Sequence, residues 1–511
     1  MSQAPLEFQD VSFYYDTAGA PVFDGLSVRF PPGWTGVIGP NGSGKTTLLR
    51  LACGELAATR GTILAPARVI YCPQRTDDPP AELAALLGAA DRAGRGLRGR
   101  LGIEPDWPER WATLSHGERK RAQIAVALWR RPGVLAADEP TNHIDLPARR
   151  LLAAALKRFR GVGLLVSHDR ELLDALCAQS LFVEPPGAVL RPGGYTKATE
   201  LARAEQAAAR HARGRAKRDL TRLRREAAAR ARQAGRAHRL RSKRGMAIRD
   251  HDARNRVNQA RYSGKDGRAG KTLRQMDGRL QQAREQLAGA RVRKQRRLGM
   301  DLRGETSRRD ALLRLPAGSL PLGDERRLSF PDLRVAPDDR IALTGPNGGG
   351  KSTLVRHIME RLDLPAGRVV YLAQEIDRDT ARRTVAAVRH LPKARLGAVL
   401  SVVGALGSEP QRLIETDEPS PGELRKLLLA LGMAASPHLI VMDEPTNHLD
   451  LPSIECLERA LGDCPSALLL VSHDVRFLGR LTRLRWEIAP DEADPAGLRM
   501  RLQVRRPPAV H

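Results

Sequence analysis

Two stretches of this chain of 511 residues have the composition of a phosphate cradle. Gly39-Pro40-Asn41-Gly42-Ser43-Gly44-Lys45-Thr46-Thr47 returns as Gly345-Pro346-Asn347-Gly348-Gly349-Gly350-Lys351-Ser352-Thr353. In such a loop the glycines let backbone N–H groups converge on phosphate oxygens at a helix N-terminus, where larger side chains would block the approach. Lys45 and Lys351 then reach the β and γ phosphates, and the hydroxyls of Thr46 and Ser352 coordinate Mg2+. A second motif, Asp138-Glu139-Pro140-Thr141-Asn142-His143-Ile144-Asp145, returns as Asp443-Glu444-Pro445-Thr446-Asn447-His448-Leu449-Asp450. Asp138 and Asp443 end apolar runs, where an unpaired carboxylate is costly, so a cation is the natural partner. Glu139 and Glu444 are placed to hold and polarise the water that attacks the γ-phosphate. Ser167-His168-Asp169 returns as Ser472-His473-Asp474, and its histidines are candidates for contact with that phosphate. Acids at strand ends also serve as helix N-caps, and single histidines are usually core residues. The doubling argues against both: Lys45 to Asp138 is 93 residues, Lys351 to Asp443 is 92, and Asp to His is 30 in each copy.

These residues need strands to carry them. Gly36-Val37-Ile38 and Ile341-Ala342-Leu343 precede the glycine loops, Val134–Ala137 and Leu439–Met442 the acids, and Leu164–Val166 and Leu468–Val471 the histidines. Short apolar runs separated by helical stretches indicate buried parallel strands of an α/β domain. The motifs then sit at strand carboxyl ends, where ligands bind in such sheets. Two domains of one fold are expected, about residues 1–196 and 306–490, with 491–511 as a tail.

Between the copies the composition changes. Residues 201–300 hold 31 Lys or Arg against 8 Asp or Glu, which places +23 of the net +27 there. Pro192 and Pro316 bracket the stretch with no proline between, so long helices are allowed. Leu273, Met276, Leu280, Ala283 and Leu287 have the spacing of a two-helix seam, and Ala216, Leu220, Leu223, Ala227 and Ala234 offer a partner face. Ser263-Gly264-Lys265-Asp266-Gly267 and Gly270 supply a reversal, with the tip at Gly245 to Gly270. The expectation is a basic helical hairpin over 197–305. A charge run is commonly a solvated linker, but the seam and the scarcity of acids favour an arm that binds nucleic acid. Aromatics are only 4%, so phosphate contacts rather than base stacking should dominate. Five cysteines form no CxxC pair and are expected as reduced packing residues of a cytoplasmic protein. No apolar run is long enough to span a bilayer, and no signal peptide is evident.

At this level the chain resembles a pair of ATP-binding-cassette nucleotide domains. The third motif of that family, of form LSGGQ or LSGGE, appears as Leu114-Ser115-His116-Gly117-Glu118 and, in weaker form, as Pro419-Ser420-Pro421-Gly422-Glu423. Gln74 and Gln374 match the Q-loop glutamines that approach Mg2+ and the attacking water, and Tyr15 matches the aromatic that stacks on adenine. No such aromatic precedes Lys351. The resemblance implies that ATP on Lys45 faces Ser420, Gly422 and Glu423, and that ATP on Lys351 faces Ser115, Gly117 and Glu118. Pro421 lacks an N–H and stiffens its turn, so the Lys351 site should be the faster.

Tandem cassettes, the doubled Asp-Glu-Pro-Thr-Asn-His-[Ile/Leu]-Asp and the basic linker resemble the ABC-F subfamily. That resemblance implies an α/β fold of two phosphate-loop cassettes joined by a basic helical hairpin, with ATP and Mg2+ as cofactors. It implies a monomer whose cassettes pair within the chain and whose ATP-closed form occupies the ribosomal tRNA exit site. Large-subunit rRNA and peptidyl-site tRNA would be the partners, and no membrane. Only 41 residues separate Gln74 from Ser115, too few for the extra arm of some translation factors, and the chain after Trp486 is short for a C-terminal coiled coil. Antibiotic protection of the ribosome is therefore favoured over a housekeeping role on stalled ribosomes. An exporter ATPase gives no reason for the basic hairpin, and a DNA-repair ATPase would carry zinc-binding cysteine pairs.

Overall fold

The computed structural model describes residues 4–16, 19–142, 144–240, 265–290, 304–323, 326–374, 376–408, 410, 413, 419–447, 449–491, 494 and 497–504. Residues 241–264, which hold most of the expected tip and Ser263-Gly264 of the reversal, lie outside them, as do His143, His448 and residues 505–511; Lys265, Asp266, Gly267 and Gly270, expected in the reversal, are helical instead. The first half runs β1 (Leu6–Phe13), β2 (Phe23–Phe30), β3 (Gly33–Ile38), α1 (Lys45–Ala52), β4 (Arg60–Leu64), β5 (Val69–Cys72), α2 (Leu83–Gly88), α3 (Arg92–Leu101), α4 (His116–Trp129), β6 (Val134–Asp138), α5 (Leu146–Leu156), β7 (Val162–Val166), α6 (Arg170–Leu176), β8 (Cys177–Glu184) and β9 (Gly187–Pro192). Next come α7 (Tyr195–Leu240) and α8 (Lys265–Gly289). The second half runs β10 (Leu313–Leu315), β11 (Gly318–Pro321), β12 (Arg327–Phe330), β13 (Leu333–Val335), β14 (Arg340–Thr344), α9 (Lys351–Glu360), β15 (Val369–Leu372), α10 (Arg378–Arg389), α11 (Lys393–Ala405), α12 (Pro421–Met433), β16 (Leu439–Asp443), α13 (Leu451–Asp463), β17 (Ala467–Val471), α14 (Val475–Leu481), β18 (Leu484–Pro490) and β19 (Gly497–Val504).

Strands β6, β7, β16 and β17 are buried at every position. A strand apolar on both faces must be covered on both faces, which a parallel sheet with crossover helices provides. The order β5-β6-β7-β3-β8 in the first half recurs as β15-β16-β17-β14-β18 in the second, parallel throughout. The sequence repeat is thus a repeat of topology. Around this shared centre the halves differ. In the first, β2-β1-β4 form a separate antiparallel sheet whose Phe8, Phe23 and Phe30 pack with Leu48 and Leu49 of α1. In the second, β11 and β12 join the main sheet through β19.

Strand β19 corrects the expectation of a tail at 491–511. Residues Leu484–Pro490 pair antiparallel with Leu498–Val504, as β8 pairs with β9. The cause is legible: Leu498, Met500 and Leu502 alternate with Arg499, Arg501 and Gln503, the period of a half-buried strand. Met500 buries against the cluster that holds Trp486 and Ile488.

Contacts divide the chain into two compact units, Met1–Ala198 with Arg296–His511, and Thr199–Gln295. Within the second, Leu220, Met276 and Ala283 are buried and Ala216, Leu223, Ala227, Leu280 and Leu287 half-buried, while the arginines between them are exposed. The positions expected to form the seam are thus the less exposed ones on each helix; the side chains of Ala234 and Leu273 lie outside the described residues. All five cysteines are free thiols, four of them buried. Among the described residues no helix is long and apolar enough to cross a membrane.

Met500→Ala should lower the thermal unfolding midpoint, at a cost of roughly 2–4 kcal/mol, as for other buried Met truncations. Val504→Ala, at an exposed strand end, should cost less than about 0.5 kcal/mol. Equal midpoints for the two variants would show that β19 is not part of the folded sheet.

Candidate active site

Each glycine loop leaves a central strand and enters a helix whose N-cap is a left-handed glycine, Gly44 at φ 94° before α1 and Gly350 at φ 85° before α9. Neither helix has a side-chain cap, so its first N–H groups face the loop unsatisfied. A Cβ at Gly44 would lie 2.5 Å from Val22 Cγ1, and one at Gly345 would lie 2.9 Å from the Ile488 carbonyl oxygen. The lysines fold over their loops: Lys45 Nζ donates to the carbonyls of Gly39 (2.9 Å) and Pro40 (3.0 Å), and Lys351 Nζ to Gly345 (3.0 Å) and Pro346 (2.9 Å). Burial lowers the pKa of both amines against the pull of nearby acids. An incoming anion would favour the charged form.

Asp138 Oδ2 accepts from Thr46 Oγ1 at 2.7 Å, and Asp443 Oδ2 from Ser352 Oγ at 2.6 Å. These are the pairs expected to share a cation. Asp138 also accepts from the Tyr71 hydroxyl at 3.1 Å, a bond the sequence reading missed. Glu139 and Glu444 follow in the left-handed region, at φ 46° and 49°, with their N–H groups bonded to Val166 and Val471. That strained turn aims each carboxylate into the site. Burial, with Asp138 adding, pushes the Glu139 carboxyl up to about 8 against the opposing Lys45. Burial likewise pushes Glu444 up to about 7, although Lys351 opposes it.

His168 and His473 hold these acids through the backbone. His168 N–H donates to Glu139 Oε2 at 3.2 Å, and His473 N–H to Glu444 Oε2 at 3.4 Å. Their rings lie 3.2 Å and 3.5 Å from the Oε1 atoms, and burial lowers both imidazoles to about 3, so they are neutral. Oε1 of each glutamate is buried without a hydrogen-bond partner. An orphaned acceptor beside an uncapped helix N-terminus fits a nucleotide, its metal and a water.

The two halves meet at these loops. Asn41 N–H donates to Asp450 Oδ2 at 2.9 Å; burial pushes Asp450 up, but the bonds from Ser453 and then that from Asn41 hold it below the usual range. Arg149 pairs with Asp169 at 3.2 Å and donates to the His473 carbonyl at 3.2 Å. A cavity of about 460 Å³ lies over Lys351, Ser352, Thr353, Gln374, Glu444 and His473, and Ile144 and Arg149 of the first half line it too. Those two residues were also missed by the sequence reading. Ser115, Gly117 and Glu118 do not line the cavity; Gly117 sits behind Ile144, 3.7 Å from its Cγ2 to a Cβ built there.

Ser115 and Ser420 cap α4 and α12, each in a capping box with Glu118 or Glu423. Their backbones are alike, φ/ψ −63°/156° and −59°/155°. Pro421 takes the first helical position, where its missing N–H disturbs no helix bond, so the expected stiffening leaves this turn unchanged. Gly422 follows it in the same turn. Gln374 lines the cavity, and both glutamines are held through their carbonyls, Gln374 by Arg425 and Gln74 by Lys120 at 3.2 Å. Tyr15 is 39% exposed, edge-on to Phe13 and hydrogen-bonded to Thr47 Oγ1 at 2.9 Å. In the second half Pro321 and Leu322 line the cavity.

The raised carboxyls set a pH dependence of stability. Below about pH 6.5 the two histidines, at about 3 in the folded chain, take up protons only on unfolding and offset the carboxyls; from about 6.5 to about 8 the folded chain holds carboxyl protons that the unfolded chain releases, so stability falls as pH rises. The nucleotide-free chain should lose thermal stability across that range, and the Glu139→Gln, Glu444→Gln double variant should lose much less. Parallel melting curves would show that the carboxyls are charged in the folded state.

The ABC transporter family model matches residues 23–142 and 328–447. The chain is 32% identical over 539 residues to the tylosin resistance ATP-binding protein TlrC of Streptomyces fradiae, covering 91% of this chain and 94% of that protein. It is 29% identical to the ATP-binding protein Uup of Caulobacter vibrioides (90% and 74% covered) and 26% identical to the ribosome protection protein VmlR of Bacillus subtilis (89% and 81%). Among solved structures, RNase-L Inhibitor superposes with a TM-score of 0.59 at 19% identity, over 96% of this chain and 90% of that one, a likeness of fold. With doubled phosphate loops, doubled acids and a full-length relative of this similarity, the chain belongs to the ABC-F subfamily of ATP-binding-cassette ATPases.

Proposed function

We propose that this ATP hydrolase acts on the ribosome: its ATP-closed form occupies the tRNA exit site, directs residues 197–305 toward the peptidyl-site tRNA and the peptidyl-transferase centre, and protects the ribosome from an antibiotic. The arm carries the reading. Residues 201–300 carry +23, the arginines of the described parts of α7 and α8 are exposed, and α7 alone, 46 residues at about 1.5 Å each, is long enough to track an RNA backbone. The relatives named for tylosin resistance and for ribosome protection favour an rRNA and tRNA surface over other polyanions.

In this reading the loop N–H groups, with Asn41, Gly42, Lys45 and Thr47 in one site and Asn347, Gly348, Lys351 and Thr353 in the other, hold the phosphates. Thr46, Asp138 and Gln74, and Ser352, Asp443 and Gln374, would hold Mg2+, which would supply positive charge to offset that of the phosphates. Glu139 and Glu444, poised near neutral pH with a free Oε1, take the proton of the attacking water. His168 and His473 keep each carboxylate aimed and turn a neutral ring toward the γ-phosphate. Ser420, Gly422 and Glu423 complete the Lys45 site, Ser115, Gly117 and Glu118 the Lys351 site, and Tyr15 stacks on adenine in the first. Loss of the γ-phosphate removes the contacts that keep the halves closed, so hydrolysis times residence on the ribosome.

Pro421 leaves the Lys45 site one N–H donor short. In single turnover, Glu139→Gln should retain the faster rate, by roughly tenfold, since a hydrogen bond to a charged group is worth about 1.5–3 kcal/mol. Equal residual rates would end that asymmetry. The Glu139→Gln, Glu444→Gln double variant should pellet with ribosomes only when ATP is present, with affinity falling by about 1000-fold from 50 to 200 mM salt. Indifference to ribosomes at physiological ionic strength would sink the reading. Expression in a susceptible cell should raise tolerance to a drug of the peptidyl-transferase region or tunnel, and no gain for any such drug would leave only the housekeeping role.

A further inference from the structure

Five positions after each capping serine lies a buried base that the sequence reading did not single out, and the two copies differ. Arg425, on α12, is 6% exposed; its guanidinium donates to the carbonyls of Glu444 (2.9 Å) and Asn447 (2.9 Å) and to that of Gln374. Lys120, on α4, is 3% exposed; its amine donates to the carbonyls of Pro73 and Gln74 and to Gln123 Oε1. Both bases therefore fasten their helix to the adjacent glutamine loop. Arg425 alone reaches on to the strained carbonyl of the proposed catalytic glutamate and to the loop that follows it. The helix it sits on begins at Ser420, which in the composite-site reading faces the other nucleotide.

We propose that Arg425 is a positioning residue that ties Glu444 to the helix capping the nucleotide on Lys45, so that occupancy of the Lys45 site sets the hydrolytic geometry of the Lys351 site and not the reverse. The proposal rests on the composite-site reading. A planar fork can bind carbonyls of two loops at once, whereas an ammonium on a flexible stem lacks that fixed geometry. Lys120 shows that the same place accepts a lysine, so Arg425→Lys should fold.

Amide hydrogen exchange on the full chain tests this without relying on turnover. In Lys351→Ala, where the non-hydrolysable analogue AMP-PNP binds only at the Lys45 loop, the analogue should protect residues 420–423 and also the amides of Glu444, Thr446 and Asn447. Adding Arg425→Lys should keep the first protection and lose about tenfold of the second. The mirror experiment in Lys45→Ala should protect 115–118 without protecting 139–142. Undiminished protection at 444–447 in the Arg425→Lys background overturns the proposal alone. Absence of protection at 420–423 in either background overturns the composite-site reading and the proposal with it. As a second readout, Arg425→Lys in the Glu139→Gln chain should lower kcat by about 100-fold, the scale of a small misplacement of a reacting group, with KM for ATP within about twofold. An unchanged kcat overturns the proposal.

Discussion

A strand apolar at every position that ends on a carboxylate creates a problem its own backbone cannot solve. Asp138 and Asp443 are 3% and 2% exposed at the ends of such strands, and a charge taken that far from water needs a partner. The nearest are the hydroxyls at the first turn of α1 and α9, which brings each glycine loop against its acid. Bonding of the next residue's N–H to β7 or β17 continues the strand edge, and the left-handed φ there turns the second carboxylate into the same space. The histidine segment closes over it because β7 and β17 end in register, Asp138 opposite Val166 and Asp443 opposite Val471. Phosphate loop, acids and histidine are thus one consequence of burying a charge at a strand end.

The halves repeat this solution but do not copy it. Asp138 has a second donor in Tyr71, while no such bond reaches Asp443 from Tyr371. An exposed aromatic stands beside the first loop and aliphatic residues beside the second. Between the halves Arg170, wholly buried, contacts Glu458 and donates to Asp474 at 3.1 Å, both from the second half. A buried pair of this kind is weak evidence for net stability, since desolvation offsets the attraction, but it tolerates only one register between the surfaces it joins. The first residues of α7 take part in the same body. Tyr195 donates to Glu455 at 2.8 Å, and Arg476 bonds Thr196 and Asp174.

Much of this was legible in order along the chain. Apolar runs before each motif fixed the central strands, the equal intervals fixed two copies, and the 3,4 spacing from Leu220 and Met276 fixed the faces of the basic helices. Strand β19 could have been read from the alternation of Leu498, Met500 and Leu502 with polar neighbours. No such local signal existed for Arg149, Ile144 or Arg170, whose partners lie some 290 to 320 residues away in sequence or across a cavity. That Pro421 leaves the backbone of its turn like that of the other copy was not legible either, because it follows from the place of the proline at the start of α12.

By itself, then, the sequence determined which groups do chemistry, which elements carry them and where charge collects, because these depend on residue type and short-range period. The tertiary structure alone decided that the glutamate carboxyls are pushed toward neutrality, that Oε1 is left without a hydrogen-bond partner, and that Arg425 reaches on from the glutamine loop to Glu444 and Asn447 while Lys120 stops at the glutamine loop. Those properties belong to distances between segments far apart in the chain and to the loss of water around them. Neither quantity is written in any local pattern.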